Sequence, residues 1–241
     1  MKISAAGLAL VLATAHVAPA LAAPPDDAAV EARLAYLEVA LARDERQIRA
    51  WHDTWVSAFS ALAVLQIGVG AASTDTGVRG AALVGGVKAT LAATSILVSP
   101  TTALKNSATL SGFAGHTPAD RRARLHAAEQ LLEASSAEAR FKRSWIPLVA
   151  GAFLNLGGAA VMWLGYKRPG PGWFGLGSGL VVGQLFYQTQ PTSSIAAWAA
   201  YSTAVGQGKA PPSAASLTRK EASIRWAVAP GPGGLVVQGL F

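Results

Sequence analysis

The sequence contains no cysteine among its 241 residues. Disulfide bonds, thiolate chemistry, cysteine-ligated metals and a lipid anchor on cysteine are therefore excluded. Charged residues are also scarce, at 14% against about 25% in soluble domains. A soluble chain of this size needs more charge to cover its surface. Together with a hydrophobic content of 51%, the deficit indicates that lipid covers part of the chain.

Recognisable catalytic motifs are also missing. Lys88 follows a glycine-rich stretch, but without the Gly-Lys spacing of a phosphate-binding loop. Ser178 does not lie in a nucleophile elbow, because Leu176 stands where the first glycine must be. His126 has no second histidine at helical or zinc-type spacing. We therefore expect no enzymatic activity, no metal ion and no cofactor.

The N-terminus has the features of a secretory signal. Lys2 supplies the positive charge, residues 5–17 form an apolar run, and Ala20-Leu21-Ala22 is a cleavage site of the small-x-small type. We predict a signal peptide over residues 1–23, and the alternative is an uncleaved first membrane anchor. An exported chain rarely meets nucleic acid. The excess of 20 Lys and Arg over 13 Asp and Glu therefore indicates anionic lipid or a cell-surface polymer as the counter-charge.

Four later stretches are apolar and almost free of charge. Each approaches or reaches the roughly 20 residues that a helix needs to cross a bilayer. We predict membrane spans over 55–73, 81–98, 145–166 and 173–190. Tryptophans, which favour the headgroup level of a membrane, mark the edges of these stretches at Trp55, Trp145, Trp163 and Trp173. The pattern predicts a cell-envelope membrane protein with an exported N-terminus, in the inner rather than the outer membrane.

The chain also repeats itself. Landmarks recur in the same order at an offset of about 90 residues, in the pairs Arg33 and Arg124, Trp55 and Trp145, Gly68 and Gly158, and Pro100 and Pro191. We predict a first repeat over 24–104 and a second over 105–202, each a charged helix followed by an apolar hairpin. Chance similarity in a chain rich in alanine and glycine is the alternative.

The C-terminal region, residues 203–241, differs from both repeats. Its first part is polar and rich in small residues, which is typical of a linker. Two short apolar runs then flank the turn Pro230-Gly231-Pro232-Gly233-Gly234 and predict a β-hairpin. The predicted fold is mainly α: a membrane helical bundle of two tandem helix-plus-hairpin repeats, with a short C-terminal β-hairpin.

The charged helices each carry an apolar stripe. From Val30 to Trp55 the apolar positions recur every three or four residues, and Asp44 is the one break. The second helix begins with the capping signal Thr117-Pro118 and has a weaker stripe. The stripes predict either a coiled-coil contact with a partner or packing of the two helices on each other, and their short length favours the latter. Anionic headgroups or solvent would meet the second helix at Arg121, Arg122 and Arg124.

Lys88 is the residue with the clearest functional implication. An ionisable side chain within a membrane span is costly and is a functional hypothesis by default. Gln66, Asn155 and Gln184 lie at similar depth in the other predicted spans. In a four-helix bundle these groups would meet near the midplane and solvate Lys88 or line a polar path. The alternative is that Lys88 reaches an interface while the amides join helices, which is the commoner role of polar groups in spans.

Glycines lighten the later spans. Gly175, Gly179 and Gly183 recur at intervals of four on the fourth span, and Gly157 and Gly158 lie on the third. Missing side chains let another helix approach closely in lipid. The spacing predicts close packing, either within one chain or in a homo-oligomer.

The partners expected from these features are membrane lipid, together with a second copy or another envelope protein. The predicted function is a non-enzymatic structural or interaction role in the cell envelope. The alternative is a small transporter or channel with a midplane polar site around Lys88.

Overall fold

The computed structural model describes residues 26–99, 101–218, 225–231 and 234–240. The predicted signal peptide, 1–23, lies outside the described residues. The described chain is mainly helical, with α1 Asp27–Ala72, α2 Thr76–Val98, α3 Asn106–Ser111, α4 Pro118–Lys142, α5 Trp145–Ala160, α6 Pro169–Gln188, α7 Ser193–Gly206 and α8 Ala214–Thr218. A 3-10 turn, Thr102–Lys105, precedes α3, and a π-helical turn, Val161–Gly165, extends α5.

The C-terminal region contains α8 and two short strands. α8 lies against α1, where the Arg43 guanidinium donates to the Leu217 carbonyl over 2.6 Å. The strands β1 Arg225–Gly231 and β2 Gly234–Leu240 pair antiparallel, in a register that sets Val228 opposite Val237.

Side-chain caps explain where two of the long helices begin. The Asp75 carboxylate accepts a hydrogen bond from the Val78 amide over 2.8 Å, which satisfies a backbone donor that the first turn of α2 leaves free. Thr117 and Asp120 form a reciprocal capping box at the start of α4, as the sequence predicts. α1 continues without a break for 46 residues. The first charged helix and the first apolar stretch are therefore a single helix.

Among the described residues, three helices are long and apolar enough to cross a membrane: α1, α2 and α5 with its π-helical turn. α2 begins at Thr76, ahead of the predicted start at residue 81. α6 forms where the sequence predicts a fourth span, but among the described helices it does not reach the hydropathy that makes the other three candidates to cross a membrane. Its glycines and glutamines lower its hydropathy, since α6 contains no charged residue. The prediction of four spans is thus confirmed for three helices, and the fourth span stays a prediction.

The helices divide into two halves. We call α2, α5, α6 and the part of α1 from residue 54 onward the apolar half. We call α3, α4, α7 and the part of α1 up to residue 53 the charged half. In the apolar half, α1 with α2 and α5 with α6 form two helical hairpins. Their turns lie at the same end, because a Cβ added to Gly77 would lie 3.5 Å from the Arg168 Nε.

In the charged half, α1 and α4 lie side by side and run in the same direction. Arg121 binds Glu31 over 3.0 Å, and further along both helices Arg124 binds Glu38 over 2.7 Å. The apolar stripes of the two helices face each other and are buried, at Leu34, Leu37, Leu41, Leu125 and Leu132. The stripes therefore pack on each other within the chain. The predicted positive excess of α4 is offset by acidic side chains of α1.

α7 completes the core of the charged half, and the sequence analysis did not predict it. Tyr201 and Ala197 are buried against the facing stripes of α1 and α4. The sequence pattern assigns no element to residues 193–202, which are small and free of charge, and assigns a linker from 203 onward. In the structure those small residues form α7, which packs against both α1 and α4.

Candidate functional site

Lys88 lies near the middle of α2, on the side that faces α5 and α6. The apolar half contains no acidic residue in α2, α5, α6 or the span portion of α1. The nearest carboxylate along α2 is that of Asp75, about 20 Å away at the helical rise of 1.5 Å per residue. Asp75 is already engaged as the cap of α2. Lys88 is therefore a cation with no counter-ion in the apolar half of this chain.

Two neutral acceptors hold the Lys88 ammonium. The Nζ donates to Asn155 Oδ1 over 2.9 Å and to the Gly175 carbonyl over 3.2 Å. These contacts connect α2 to α5 and α6. Because an ammonium has three N–H donors, one donor has no acceptor within the described part of the chain. The described chain thus provides acceptors for two of the three ammonium donors and no negative charge to balance Lys88.

Asn155 is oriented by a bond within its own helix. Its Nδ2 donates to the Gly151 carbonyl one turn earlier, over 3.0 Å. With the amide nitrogen engaged there, Oδ1 points toward Lys88. In this orientation Asn155 presents its oxygen to the Lys88 ammonium. A side-chain amide without the bond to Gly151 could equally present its NH2 group.

Two glycines make the room that this arrangement needs. A Cβ added to Gly179 would lie 1.8 Å from Asn155 Oδ1, so only glycine lets α6 approach α5 at that point. A Cβ added to Gly158 would lie 3.1 Å from the Lys88 Cδ, so the lysine stem crosses α5 where the side chain is missing. Both glycines therefore serve packing within one chain.

Beside Lys88, a groove of about 540 Å³ opens between α2 and α5. Val87 on one wall and Phe153 on the other are largely exposed. The remaining wall residues are apolar or glycine, namely Leu83, Val84, Leu91, Leu154, Gly157, Gly158 and Val161, and Tyr166 lies at one end. Lys88 is the one charged residue that lines it. The groove is an apolar surface with a single positive charge.

The two glutamines predicted for this site lie elsewhere. Gln66 lies against α2, where its Oε1 would be 2.5 Å from a Cβ added to Gly85. That Oε1 is buried and has no hydrogen-bond partner among the described residues. Gln184 is exposed on α6 and makes no hydrogen bond within the described chain. The structure thus brings Lys88 and Asn155 together and leaves both glutamines apart from them.

The remaining glycines and the tryptophans have separate surroundings. Side chains added at Gly157, Gly175 or Gly183 would meet nothing within 4 Å in the described chain. Trp55 donates to Thr189 Oγ1 over 3.0 Å at the border with the charged half. At the opposite end of the apolar half, Trp163 and Trp173 have ring centroids 4.6 Å apart. Trp145 is 70% exposed at the start of α5.

A second polar site lies in the charged half, at Asp44, the one break in the apolar stripe of α1. Asp44 is 1% exposed. It accepts from Ser193 Oγ over 2.6 Å and from the Ser194 amide over 3.1 Å, and so caps α7. Burial raises the pKa of Asp44, although these hydrogen bonds oppose the rise. An acidic residue on an otherwise apolar stripe is a sequence signal for such a buried cap.

Glu138 of α4 makes a comparable contact with the chain that follows α2. Its Oε2 accepts from the Thr102 amide over 2.9 Å, and its Oε1 lies 2.6 Å from the Lys142 Nζ. Partial burial favours the neutral acid, but the bonds from Lys142 and Thr102 outweigh it and lower the pKa of Glu138. Glu138 of α4 thus binds the segment that follows the hairpin of α1 and α2. Asp44 of α1 binds the segment that follows the hairpin of α5 and α6.

Tyr201 joins α7 to both charged helices. Its hydroxyl accepts from Arg33 Nε over 2.8 Å and donates to Glu129, which also pairs with Arg33. Burial, together with the Glu129 carboxylate, raises the pKa of Tyr201. The Tyr36 hydroxyl donates to the Ala197 carbonyl over 3.0 Å. These bonds satisfy the polar groups of a packed core and leave no reactive group exposed among these four side chains.

The described residues contain no group of three or more His, Asp or Glu side chains placed to hold a metal ion. Comparison with known protein-family models, with curated proteins and with solved structures finds no match for this chain.

Proposed function

We propose that the chain is an exported integral membrane protein of the cell envelope with a non-enzymatic structural or interaction role. In this proposal it acts through the membrane-facing surface of the apolar half. The charged half is a compact extramembrane bundle that fixes the positions of the two hairpins.

The observation that carries the proposal is the contrast in how the halves use their side chains. Acidic and basic residues of the charged half pair across α1 and α4, as Arg121 does with Glu31 and Arg124 with Glu38. The apolar half instead exposes large apolar side chains, such as Phe153 at 69%, Leu164 at 80% and Phe174 at 78%. A contiguous apolar surface of this kind marks a membrane or protein contact.

Tandem organisation is part of the proposal. A charged helix followed by an apolar hairpin occurs twice, over α1 with α2 and over α4 with α5 and α6. The charged helices run in the same direction, and the turns of the hairpins lie at the same end. Asp44 and Glu138 make crossed contacts between the two units. A duplication that placed two parallel units around a common axis accounts for these features.

A small transporter or channel built around Lys88 is the second candidate. The position of Lys88 in the middle of α2 favours it. The separation of Gln66 and Gln184 from Lys88 weighs against it, because a conducting path needs polar groups in sequence along the bundle.

Membrane extraction and site-specific crosslinking test the proposal. After alkaline carbonate washing, the tagged full chain should stay with the membranes and need detergent for release. A photo-crosslinking amino acid at Phe153 or Phe174 should give protein adducts of defined mass. The same amino acid at Glu133, which is exposed on α4, is the matched control and should give none.

Two results would contradict the proposal. Release of the chain as a soluble species by carbonate removes the membrane placement. Adducts with lipid alone at both membrane positions remove the interaction role. Ion flux through vesicles that contain the purified chain, abolished by Lys88→Met, would establish the second candidate instead.

A further inference from the structure

Among the described residues, no acidic side chain of the apolar half lies on its helices to balance the charge of Lys88, so an anion brought by another molecule would fill this role. The described apolar half offers the ammonium two neutral acceptors and leaves one donor without a partner. A charged side chain at the centre of a membrane span is costly unless it is paired. Since no carboxylate lies on α2, α5 or α6, a second copy of the chain would not supply one from these helices.

Lys88 lines the groove between α2 and α5, and its Cδ lies 3.1 Å from the point where a Cβ on the groove residue Gly158 would be. The α5 wall of the groove is lowered by Gly157 and Gly158, and a side chain added at Gly157 would meet nothing within 4 Å in the described chain. Its edges, Val87 and Phe153, are 57% and 69% exposed. Glycine on one wall and bulky residues at the edges suit a helix lying against the groove, because small residues let helix backbones approach closely in lipid.

We propose that this groove receives a transmembrane helix of a partner protein, whose Asp or Glu at mid-depth pairs with Lys88. The proposal rests on the interaction role proposed above and names the chemistry of the partner. A phospholipid is a poorer occupant, because its phosphate lies at the headgroup level, about 15 Å from the midplane of a hydrocarbon core about 30 Å thick. A side chain on a helix can be fixed at any depth, including that of Lys88.

A synthetic transmembrane peptide serves as the probe. It is a Leu-Ala helix with one Asp at its centre, and the comparison peptides carry Asn at that position or carry the Asp near one end. The full chain, labelled on a single cysteine introduced at Glu133, is reconstituted with each peptide in phosphatidylcholine vesicles. Absence of native cysteine makes the label specific. By energy transfer, the central-Asp peptide should bind about tenfold more tightly than the other two.

Variants of Lys88 test the charge pairing. Lys88→Met should reduce binding of the central-Asp peptide to the level of the Asn peptide. Lys88→Asp should bind a peptide with central Lys in place of the Asp peptide. Equal binding of the Asp peptide to the wild type and to Lys88→Met would overturn the proposal, as would failure of the exchanged pair in a chain that remains membrane-embedded and helical.

Variants of the groove test the docking surface without changing Lys88. Gly157→Leu fills the groove and should abolish binding of the central-Asp peptide. Gly183→Leu is the matched control, because that glycine also has open space but lies on α6 outside the groove. Unchanged binding to Gly157→Leu would overturn the proposal.

A fluorescent fatty acid distinguishes a lipid carboxylate from a partner helix. If the fatty acid binds the wild type but not Lys88→Met and displaces the Asp peptide, the groove is a lipid site and the partner-helix proposal is wrong. The proposed interaction role fails separately. If the Asp peptide does not bind while protein adducts at Phe174 persist, only the present inference is lost. If those adducts also vanish, both are lost.

Discussion

The two halves of the molecule are both helical, but they are stabilised by different surroundings. In the charged half, facing leucines are removed from solvent by neighbouring helices of the same chain. In the apolar half, few residues of the most apolar stretch of each helix are buried within the chain: 11% in α1, 22% in α2 and 11% in α5. The charged half buries its apolar surface in its own core. The apolar half leaves its apolar surface to be covered by lipid or by a partner.

α1 shows this difference within a single helix. Its first part repeats apolar residues every three or four positions and buries them, with Leu37 at 0% exposure. Its last part is free of charge, has apolar residues on every face and exposes residues such as Val64 at 74%. A stripe on one face implies a protein partner on that face. An apolar residue on every face implies a surrounding that is apolar in all directions.

The largest expected effect comes from the same substitution placed in the two parts of α1. Leu37→Ala should lower the free energy of unfolding by about 2–5 kcal/mol, because it opens a cavity in a packed core. Leu65→Ala, at a position 61% exposed, should cost less than about 1 kcal/mol in detergent, since micelle or lipid fills the space. Both replace leucine by alanine within one helix, so the change in helix propensity cancels. Thermal unfolding followed by circular dichroism in a mild detergent measures both, and equal losses would contradict the division into two halves.

A smaller effect is expected at the α5–α6 contact. Gly179→Ala places a methyl group where Asn155 Oδ1 now lies, so α6 must move or Asn155 must release Lys88. Overpacking of this kind costs about 1–3 kcal/mol. Gly183→Ala, at a glycine on the same helix with open space around it, should leave the unfolding midpoint nearly unchanged. Equal shifts for the two variants would show that α6 does not pack on α5 through Gly179.

Depth along a helix could be predicted from the sequence, but rotation about the helix axis could not. Lys88, Asn155, Gln66 and Gln184 all lie at similar depth by residue count, yet only Lys88 and Asn155 meet. Successive residues turn by about 100° around a helix, so the face that each residue presents depends on which helices become neighbours. That choice depends on positions such as Gly158 and Gly179, whose role is visible only when both partners are in place.

Helices were predictable where composition is extreme and less so where it is not. The apolar runs of α2 and α5 and the capping signal at Thr117 locate those helices well. α7 is short, uncharged and rich in alanine and serine, so nothing local separates it from a linker. It is ordered by long-range contacts, above all the cap from Asp44 and the bonds of Tyr201. Partners 72 and 150 residues apart leave no periodic trace in a sequence.

Asp44 and Glu138 bind the segments that follow α6 and α2, and their contributions to stability should change with pH in opposite directions. Glu138 shows the more familiar response. Its pKa is lowered in the folded chain. The stability that it contributes is therefore present above the pKa of the unfolded chain and is lost as the pH falls through the lower folded value. Glu138→Gln should lower the unfolding midpoint at neutral pH, and the difference from wild type should shrink in acid. A difference that stays constant with pH would show that the charge of Glu138 is not what binds the Thr102 segment.

Asp44 should give the opposite and smaller response. Burial raises its pKa above the ordinary 3.8, against the hydrogen bonds from Ser193 and Ser194 and with a contribution from the facing Glu138. A raised carboxyl pKa means that the folded chain binds the proton more tightly, so the stability from protonation is complete below the unfolded pKa and is lost as the pH rises through the folded value. Asp44→Asn keeps an acceptor for the Ser194 amide but carries no charge. It should therefore raise the unfolding midpoint at neutral pH, and the gain should disappear in acid.

Unfolding curves collected across this pH range for the Asp44 and Glu138 variants check the two signs together, because changes in detergent or overall charge would shift both variants in the same direction. If Asp44→Asn instead destabilised the chain at neutral pH and approached wild type in acid, Asp44 would act as a charged cap like Glu138, and the charged half would tolerate a buried carboxylate that the apolar half does not contain.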